Sequence, residues 1–218
     1  MPVDADEAAG HGVPIDQEVH MFIQVLRGRV IDPNRLRGQL DTWLKELSSG
    51  AEGWLGSTAG VTDDNRFIGS FRFESAAAAQ RNSDRPEQTR WWNETSKYMD
   101  TARFWDCDEV DAYKGGASDQ AGGSDQAGFV QVIQGRVVDR EAFRAAARGM
   151  GDSGRPDVIG GVVAWDSSRF SEFVYFTSEE DARRGEKAPP HTAALELTWP
   201  LTQDLEYFDL REPWFASP

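Results

Sequence analysis

The sequence predicts an α+β protein made of two tandem βαββαβ units. Two observations carry the prediction: the chain repeats itself at a nearly constant spacing, and each copy passes through the same series of strand-like and helix-like segments. Phe22 to Asp32 reads FIQVLRGRVID, and Phe129 to Asp139, 107 positions later, reads FVQVIQGRVVD. Only Arg27 against Gln134 departs from identity or aliphatic exchange. Gly53 to Val61 is paralleled by Asp157 to Trp165 at a spacing of 104, and Arg66 to Ser75 by Arg169 to Ser178 at 103. Phe104-Trp105-Asp106 is matched by Tyr207-Phe208-Asp209. A spacing that drifts only through small loop deletions is the mark of a duplicated domain.

Each element follows from local chemistry. Met21 to Leu26 is short and rich in Val, Ile and Phe, hence a strand. Phe22 and Leu26 make one face apolar, Ile23 and Val25 the other, so both faces need cover. Asp32 stands where an N-cap belongs, with Pro33 at the first helical position. Leu36, Leu40, Trp43, Leu44 and Leu47 then recur at helical spacing until Ser48-Ser49-Gly50. The second copy repeats this with Asp139 as cap and Phe143, Ala146, Ala147 and Met150 as the stripe. Trp54 to Val61 and Phe67 to Phe73 read as strands joined by the turn residues Thr62 to Asn65. Ser75 caps a short alanine helix, Ala76 to Gln80, and Thr177 or Ser178 caps its counterpart. A helix from Glu87 to Met99 and a last strand from Arg103 to Cys107 complete the first copy. The order is the split βαβ, or ferredoxin-like, arrangement. Its four antiparallel strands leave one apolar face bare, and a duplicated neighbour is at hand to cover it.

The predicted organisation is an acidic tail over 1–19, a first unit over 20–113, a Gly/Ser-rich linker over 114–127 and a second unit over 128–218. The 218 residues carry a formal net charge of -14, which repels phosphate backbones and anionic membranes, so neither nucleic acid nor membrane is an expected partner. The single cysteine, Cys107, excludes an intrachain disulfide and a Cys-based zinc cluster. No run approaches the ~18 apolar residues of a membrane span. Met1 to Asp16 lacks the basic and apolar regions of a secretory signal, so a cytoplasmic protein is expected. Gly149 to Gly154 matches GxGxxG, but it follows a helix pattern and runs into Arg155-Pro156, which makes it a helix terminator.

FIQVLRGRVID, followed by an acid-capped helix and two strands, resembles the dimeric α+β barrel superfamily, and within it the antibiotic-biosynthesis-monooxygenase (ABM) domains. The resemblance covers about 22–113 and 129–216. It implies two ferredoxin-like sheets packed face to face as an eight-stranded barrel with helices outside, here as a dimer fused into one polypeptide. It further implies a chain that is a monomeric pseudo-dimer or a weak homo-oligomer. ABM-type monooxygenases bind an electron-rich aromatic substrate between helices and sheet against Trp, Tyr, Asn and Arg side chains, and they use no metal or flavin. No cofactor is therefore expected.

Several residues are candidates for a site. Eight tryptophans are a generous supply, and Trp91, Trp92 and Asn93 share the last helix of the first copy. Trp91, Thr95, Tyr98 and Met99 form one helical stripe, with Trp92 turned partly aside. Such rings can line a cleft for a planar ligand, or they can be core. Gln24 and Gln131 are polar residues repeated inside apolar strands, either as ligand contacts or as bonds to backbone at the pseudo-two-fold seam. Arg29 and Arg136 are expected to pair with Asp32 and Asp139. Asp106 to Glu109 is an acid cluster that reads as a solvated strand end. Haem-binding relatives carry an axial histidine on a helix, which makes His191 the candidate haem ligand; a partly exposed polar residue after two prolines is the other reading. The functional expectation is a protein that binds a small apolar or aromatic molecule in the first unit, with cofactor-independent monooxygenation as its chemistry. A non-catalytic ligand-binding or structural scaffold, and haem binding or degradation through His191, are the alternatives.

Overall fold

The computed structural model describes residues 21–118, 123–151, 155–188, 196 and 198–218. Strand β1 (Phe22–Val30) leads into helix α1 (Pro33–Glu46), followed by β2 (Trp54–Val61) and β3 (Arg66–Phe73). Helices α2 (Ala76–Ser83) and α3 (Pro86–Thr95) precede β4 (Met99–Cys107) and β5 (Glu109–Lys114). The second copy runs β6 (Phe129–Val137), α4 (Arg140–Gly151), β7 (Val158–Asp166), β8 (Arg169–Phe176), α5 (Glu179–Gly185), β9 (Thr202–Leu210) and β10 (Trp214–Ala216). The caps are those the sequence names. Asp32 Oδ1 accepts from the Arg35 amide at 3.0 Å, and Asp139 Oδ1 from the Ala142 amide at 3.0 Å. Ser178, rather than Thr177, caps α5 by accepting from the Asp181 amide.

The strands form two antiparallel sheets, ordered β10-β2-β3-β1-β4 and β5-β7-β8-β6-β9. Four strands of each sheet come from one copy, as the βαββαβ reading predicts. The fifth is exchanged: β5 follows the first copy but pairs with β7, and β10 follows the second copy but pairs with β2. The expected eight strands thus become ten, and each exchanged strand covers an edge that would otherwise present open N–H and C=O groups.

The two sheets pack face to face. Ile23, Val25 and Ile68 of one meet Val130, Val132, Phe173, Tyr175, Phe208 and Leu210 of the other in a single buried cluster. Thr58 Oγ1 and Tyr175 Oη, 3.1 Å apart, share the polar contact across it. On β1, Phe22 and Leu26 face the helices instead, so both apolar faces of that strand are covered. Gln24 follows the same alternation and points to the helix side between them.

Candidate functional site

The helix-facing side of the first sheet holds a cavity of about 370 Å³. Its floor is formed by β1, β2, β3, β4 and β10, and its roof by α1, α2 and α3. Five of the eight tryptophans line it: Trp43, Trp54, Trp91, Trp92 and Trp214. The rings form a chain of aromatic contacts. Trp43 meets Trp54 edge-on at 5.0 Å and Trp91 at 6.4 Å; Trp91 meets Trp92 at 6.2 Å, and Trp92 meets Phe104 edge-on at 5.0 Å.

Hydrogen bonds lock this wall. The Trp43 indole N–H donates to Gln88 Oε1 at 2.6 Å, and that of Trp91 to the Gln39 carbonyl at 2.8 Å. The Trp54 indole N–H is buried and has no acceptor among the described residues. A buried donor left unpaired is costly, and this one faces packed side chains, not the open space. Gln24 donates its amide to Asp106 Oδ1 at 2.9 Å, which fixes the side chain, and no described residue donates to its Oε1. The single carboxylate in the lining, Asp41, accepts from Arg37 Nε at 3.0 Å. Arg37 in turn lies over the Trp214 ring, 5.0 Å from its centroid.

Of the residues the sequence singles out, Trp91, Trp92 and Gln24 line the cavity. Asn93 is exposed on the outer side of α3. Tyr98 packs beside the cluster of Leu26, Leu36 and Met99, under the Arg35 guanidinium, and is not in the lining. The reason is helical geometry: α3 ends at Thr95 and a 3₁₀ turn, Ser96–Tyr98, rotates Tyr98 off the expected stripe. Gln131 lies in the second unit, where it donates to Asp209 Oδ1 at 3.1 Å and more weakly to Glu186. Both glutamines thus bond a carboxylate on the neighbouring strand, not backbone at the seam. Arg29 and Arg136 do not pair with Asp32 and Asp139, because those carboxylates are turned to cap α1 and α4. His191, with His11 and His20, lies outside the described residues. Among the described residues no group of His, Cys, Asp and Glu is placed to hold a metal ion, the acid run Asp106 to Glu109 included.

Sequence reasoning missed Trp214, which reaches the cavity only because β10 crosses to the first sheet. It also missed Gln88 as the partner of Trp43, a contact between residues 45 positions apart. Trp43 and Trp54 were visible only as members of a helix stripe and a strand.

No family model matches the chain, and no curated protein matches it. Solved structures do. A candidate monooxygenase from Lactobacillus acidophilus is similar over 91% of this chain and 96% of its own, with a TM-score of 0.69 at 14% identity. An anthrone oxidase-like protein is similar over 94% of this chain and 97% of its own, with a TM-score of 0.64 at 12% identity. A candidate antibiotic-biosynthesis monooxygenase from Nitrosomonas europaea covers 42% of this chain with 90% of its own length, at a TM-score of 0.36 and 12% identity. The chain shares its fold with the two full-length neighbours: two βαββαβ units in one polypeptide, each built on an antiparallel sheet.

Proposed function

We propose that the first unit binds a planar aromatic molecule bearing hydroxyl or carbonyl groups in the tryptophan-walled cavity. The observation that carries this reading is the cavity itself: about 370 Å³, lined chiefly by aromatic and aliphatic side chains held rigid by their own hydrogen bonds. A preformed wall loses little freedom when a flat ligand stacks on it. One polar group is left to orient that ligand: Gln24 Oε1 can accept from a phenolic hydroxyl. The full-length likeness to an anthrone oxidase-like protein makes tricyclic hydroxyaromatics the first ligands to try.

The same reading extends to oxidation of the bound molecule by dioxygen. The substrate is the only reductant: a ring CH2, as in a hydroxyanthrone, gives up two hydrogens and four electrons, one oxygen atom of dioxygen becomes the new carbonyl, and the other leaves with those two hydrogens as water. The chain's part is to orient the substrate and exclude water; Asp41, held by Arg37, is the lining carboxylate nearest in kind to a base. The experiment is a tryptophan fluorescence titration with hydroxyanthrones and polycyclic phenols, followed by an oxygen electrode on whichever ligand binds. Saturable quenching with oxygen uptake supports the monooxygenase, quenching without uptake a ligand-binding module, and a flat titration the structural scaffold.

Haem is the remaining alternative: His191 is its candidate ligand, and a chlorite dismutase from Candidatus Nitrospira defluvii is similar over 89% of this chain at a TM-score of 0.52 and 10% identity. The residues lining the cavity include no imidazole and no thiolate, and Met99 is the one sulfur side chain among them. Haem titration of the full chain, read as a Soret shift abolished in His191→Ala, tests it independently of the cavity.

A further inference from the structure

A second cleft, of about 530 Å³, opens where β1, β3 and β4 of the first sheet meet β6, β8 and β9 of the second. Six arginines line it: Arg27, Arg29, Arg66, Arg103, Arg136 and Arg169. Asp204 and Glu206 are the only acids in the lining, so the cleft carries excess positive charge in a chain whose net charge is -14. Such a local reversal of sign focuses anions out of an otherwise repulsive field.

The cleft straddles the axis that relates the two copies. The repeat spacing makes Arg29 the counterpart of Arg136, and Arg66 that of Arg169. Arg103 corresponds to Glu206, and Thr101 to Asp204. Both flanking strand pairs break register at equivalent points, between Arg27 and Arg29 and between Gln134 and Arg136. Opposite those bulges, Thr101 and Asp204 sit at φ 57 and 54, a left-handed conformation that a β-branched residue rarely takes. The bulges splay the strand ends and turn the arginines into one space.

The charges are not neutralised from within. Glu206 accepts from Arg27 at 2.7 and 3.0 Å and lies 3.7 Å from Arg66, which also pairs with Asp64. Arg27 reaches across to its own counterpart, Gln134, at 3.2 Å. Arg169 lies over the Trp105 ring, 5.1 Å from its centroid. No side-chain hydrogen bond or ion pair with a described residue holds Arg29, Arg103 or Arg136, although all three line the same cleft. Unpaired guanidinium groups are planar forks suited to oxyanions.

We infer that this cleft is a binding site for a compact oxyanion carrying at least two negative charges, of the polyphosphate or polycarboxylate kind. Arg29 and Arg136 engage its charged ends from the two copies, and Arg103 adds a third contact. The site is separate from the tryptophan cavity, with which it shares no lining residue, and stands whether or not an aromatic ligand binds there.

The test is isothermal titration of the full chain with pyrophosphate and with citrate, acetate serving as the monoanion, at roughly 0.15 M salt, where weak surface attraction is screened. One saturable site per chain is expected for a polyanion, with acetate silent. The tighter of the two probes identifies phosphoryl or carboxylate chemistry. Arg29→Gln combined with Arg136→Gln should weaken that binding at least ~10-fold with the melting temperature unchanged, since both side chains are exposed and unpaired. Arg90→Gln, which removes an exposed charge elsewhere, should leave it intact. No saturable heat with either polyanion overturns the inference, and so does equal weakening by Arg90→Gln and the cleft variant, which would reduce the effect to general charge.

Discussion

The two copies present the same sheet face to each other and opposite designs to their helices. Between the sheets the first strand of each copy is matched, Ile23 with Val130 and Val25 with Val132, while the third is complementary, Ser70 answering Phe173 and Arg72 answering Tyr175. On the outer side the first unit is hollow, and among the described residues the second carries side chains where the first has space. Position 69 of the first sheet is glycine, and its counterpart in the second is Glu172. Ala216 pairs with Ser57 on the edge strand, and the equivalent place on the other sheet is Tyr113 paired with Gly161. A side chain at Gly161 would collide with the Tyr113 ring, so that glycine admits the tyrosine. Tyr113 then donates to Glu172 at 2.7 Å, and Trp165, Phe143 and Phe170 stack beside the pair. The inner face must fit the other copy, so a small or polar residue in one sheet stands where the other sheet has a ring, as at Ser70 and Phe173. Each outer face answers only to its own helices, so one could become a container and the other a prop.

That contrast predicts unequal costs for the same substitution. Trp165 is fully buried, packed on Phe143 and Phe170, and donates its indole N–H to Asp111 at 2.7 Å. Trp165→Ala should cost ~3–5 kcal/mol, read as the shift in urea midpoint. Trp92, half-exposed on the wall of a space that already exists, should cost ~1–2 kcal/mol when cut to Ala, because less packing is lost. Equal losses would mean that the first unit is as tightly filled as the second.

The next effect is on binding. Trp92→Ala removes a stacking surface and should weaken an aromatic ligand by about 10- to 100-fold, or ~1.4–2.7 kcal/mol, in the fluorescence titration. Ala216→Tyr places in the first unit the side chain that fills the second, and should abolish quenching while leaving the far-UV spectrum unchanged. Quenching that survives Ala216→Tyr would locate the ligand elsewhere.

The fold was largely legible in the sequence because its signals are local and doubled. A strand with two apolar faces, an Asp-Pro helix start and a Ser-capped short helix each occur twice, so one copy checks the other. The exchanged strands were not legible. Glu109 to Lys114 reads EVDAYK, whose acids look like a solvated end, and Trp214 to Ala216 is three residues long. Both are strands because of a partner far away in sequence, which no local pattern encodes. The cavity was half legible: Trp91 and Trp92 announced themselves as a pair, while Trp214 arrived with the exchanged strand. The arginine cleft was invisible for the same reason. It collects six arginines from five strands, and only Arg29 and Arg136 drew notice as a repeated pair.

A smaller effect separates the units by pH. Burial pushes the Glu172 carboxyl above the usual range, and the hydrogen bond from Tyr113 only partly offsets it. Burial likewise holds the Tyr113 hydroxyl well above its ordinary value, so it remains the donor. A carboxyl whose pKa is higher folded than unfolded binds protons more readily in the folded state. The contribution of Glu172 to stability is therefore fully present below about 4, the unfolded glutamate value, and is lost as pH rises through the raised folded one. Glu172→Gln should flatten that decline, and Tyr113→Phe should steepen it by removing the one group that stabilises the anion. Urea midpoints across this range decide it; a midpoint profile identical in all three proteins would mean that solvent reaches the carboxylate.

The smallest expected signal tests the shared face. Cys107 stands where the second copy has Leu210, and both are buried in the cluster between the sheets. Burial, with the neighbouring Asp166, Asp106 and Asp108 carboxylates, pushes its thiol up to about 12. The reactive thiolate is thus scarce near neutral pH, and the sulfur is covered as well. A thiol reagent such as dithiobisnitrobenzoate should therefore read almost no cysteine in the native chain and one full equivalent in guanidinium. Native reaction at the unfolded rate would show the sheets parting at Cys107, against a closed contact between the copies. Native reaction that is slow, and slowed further by sulfate, would instead measure how often the two copies separate.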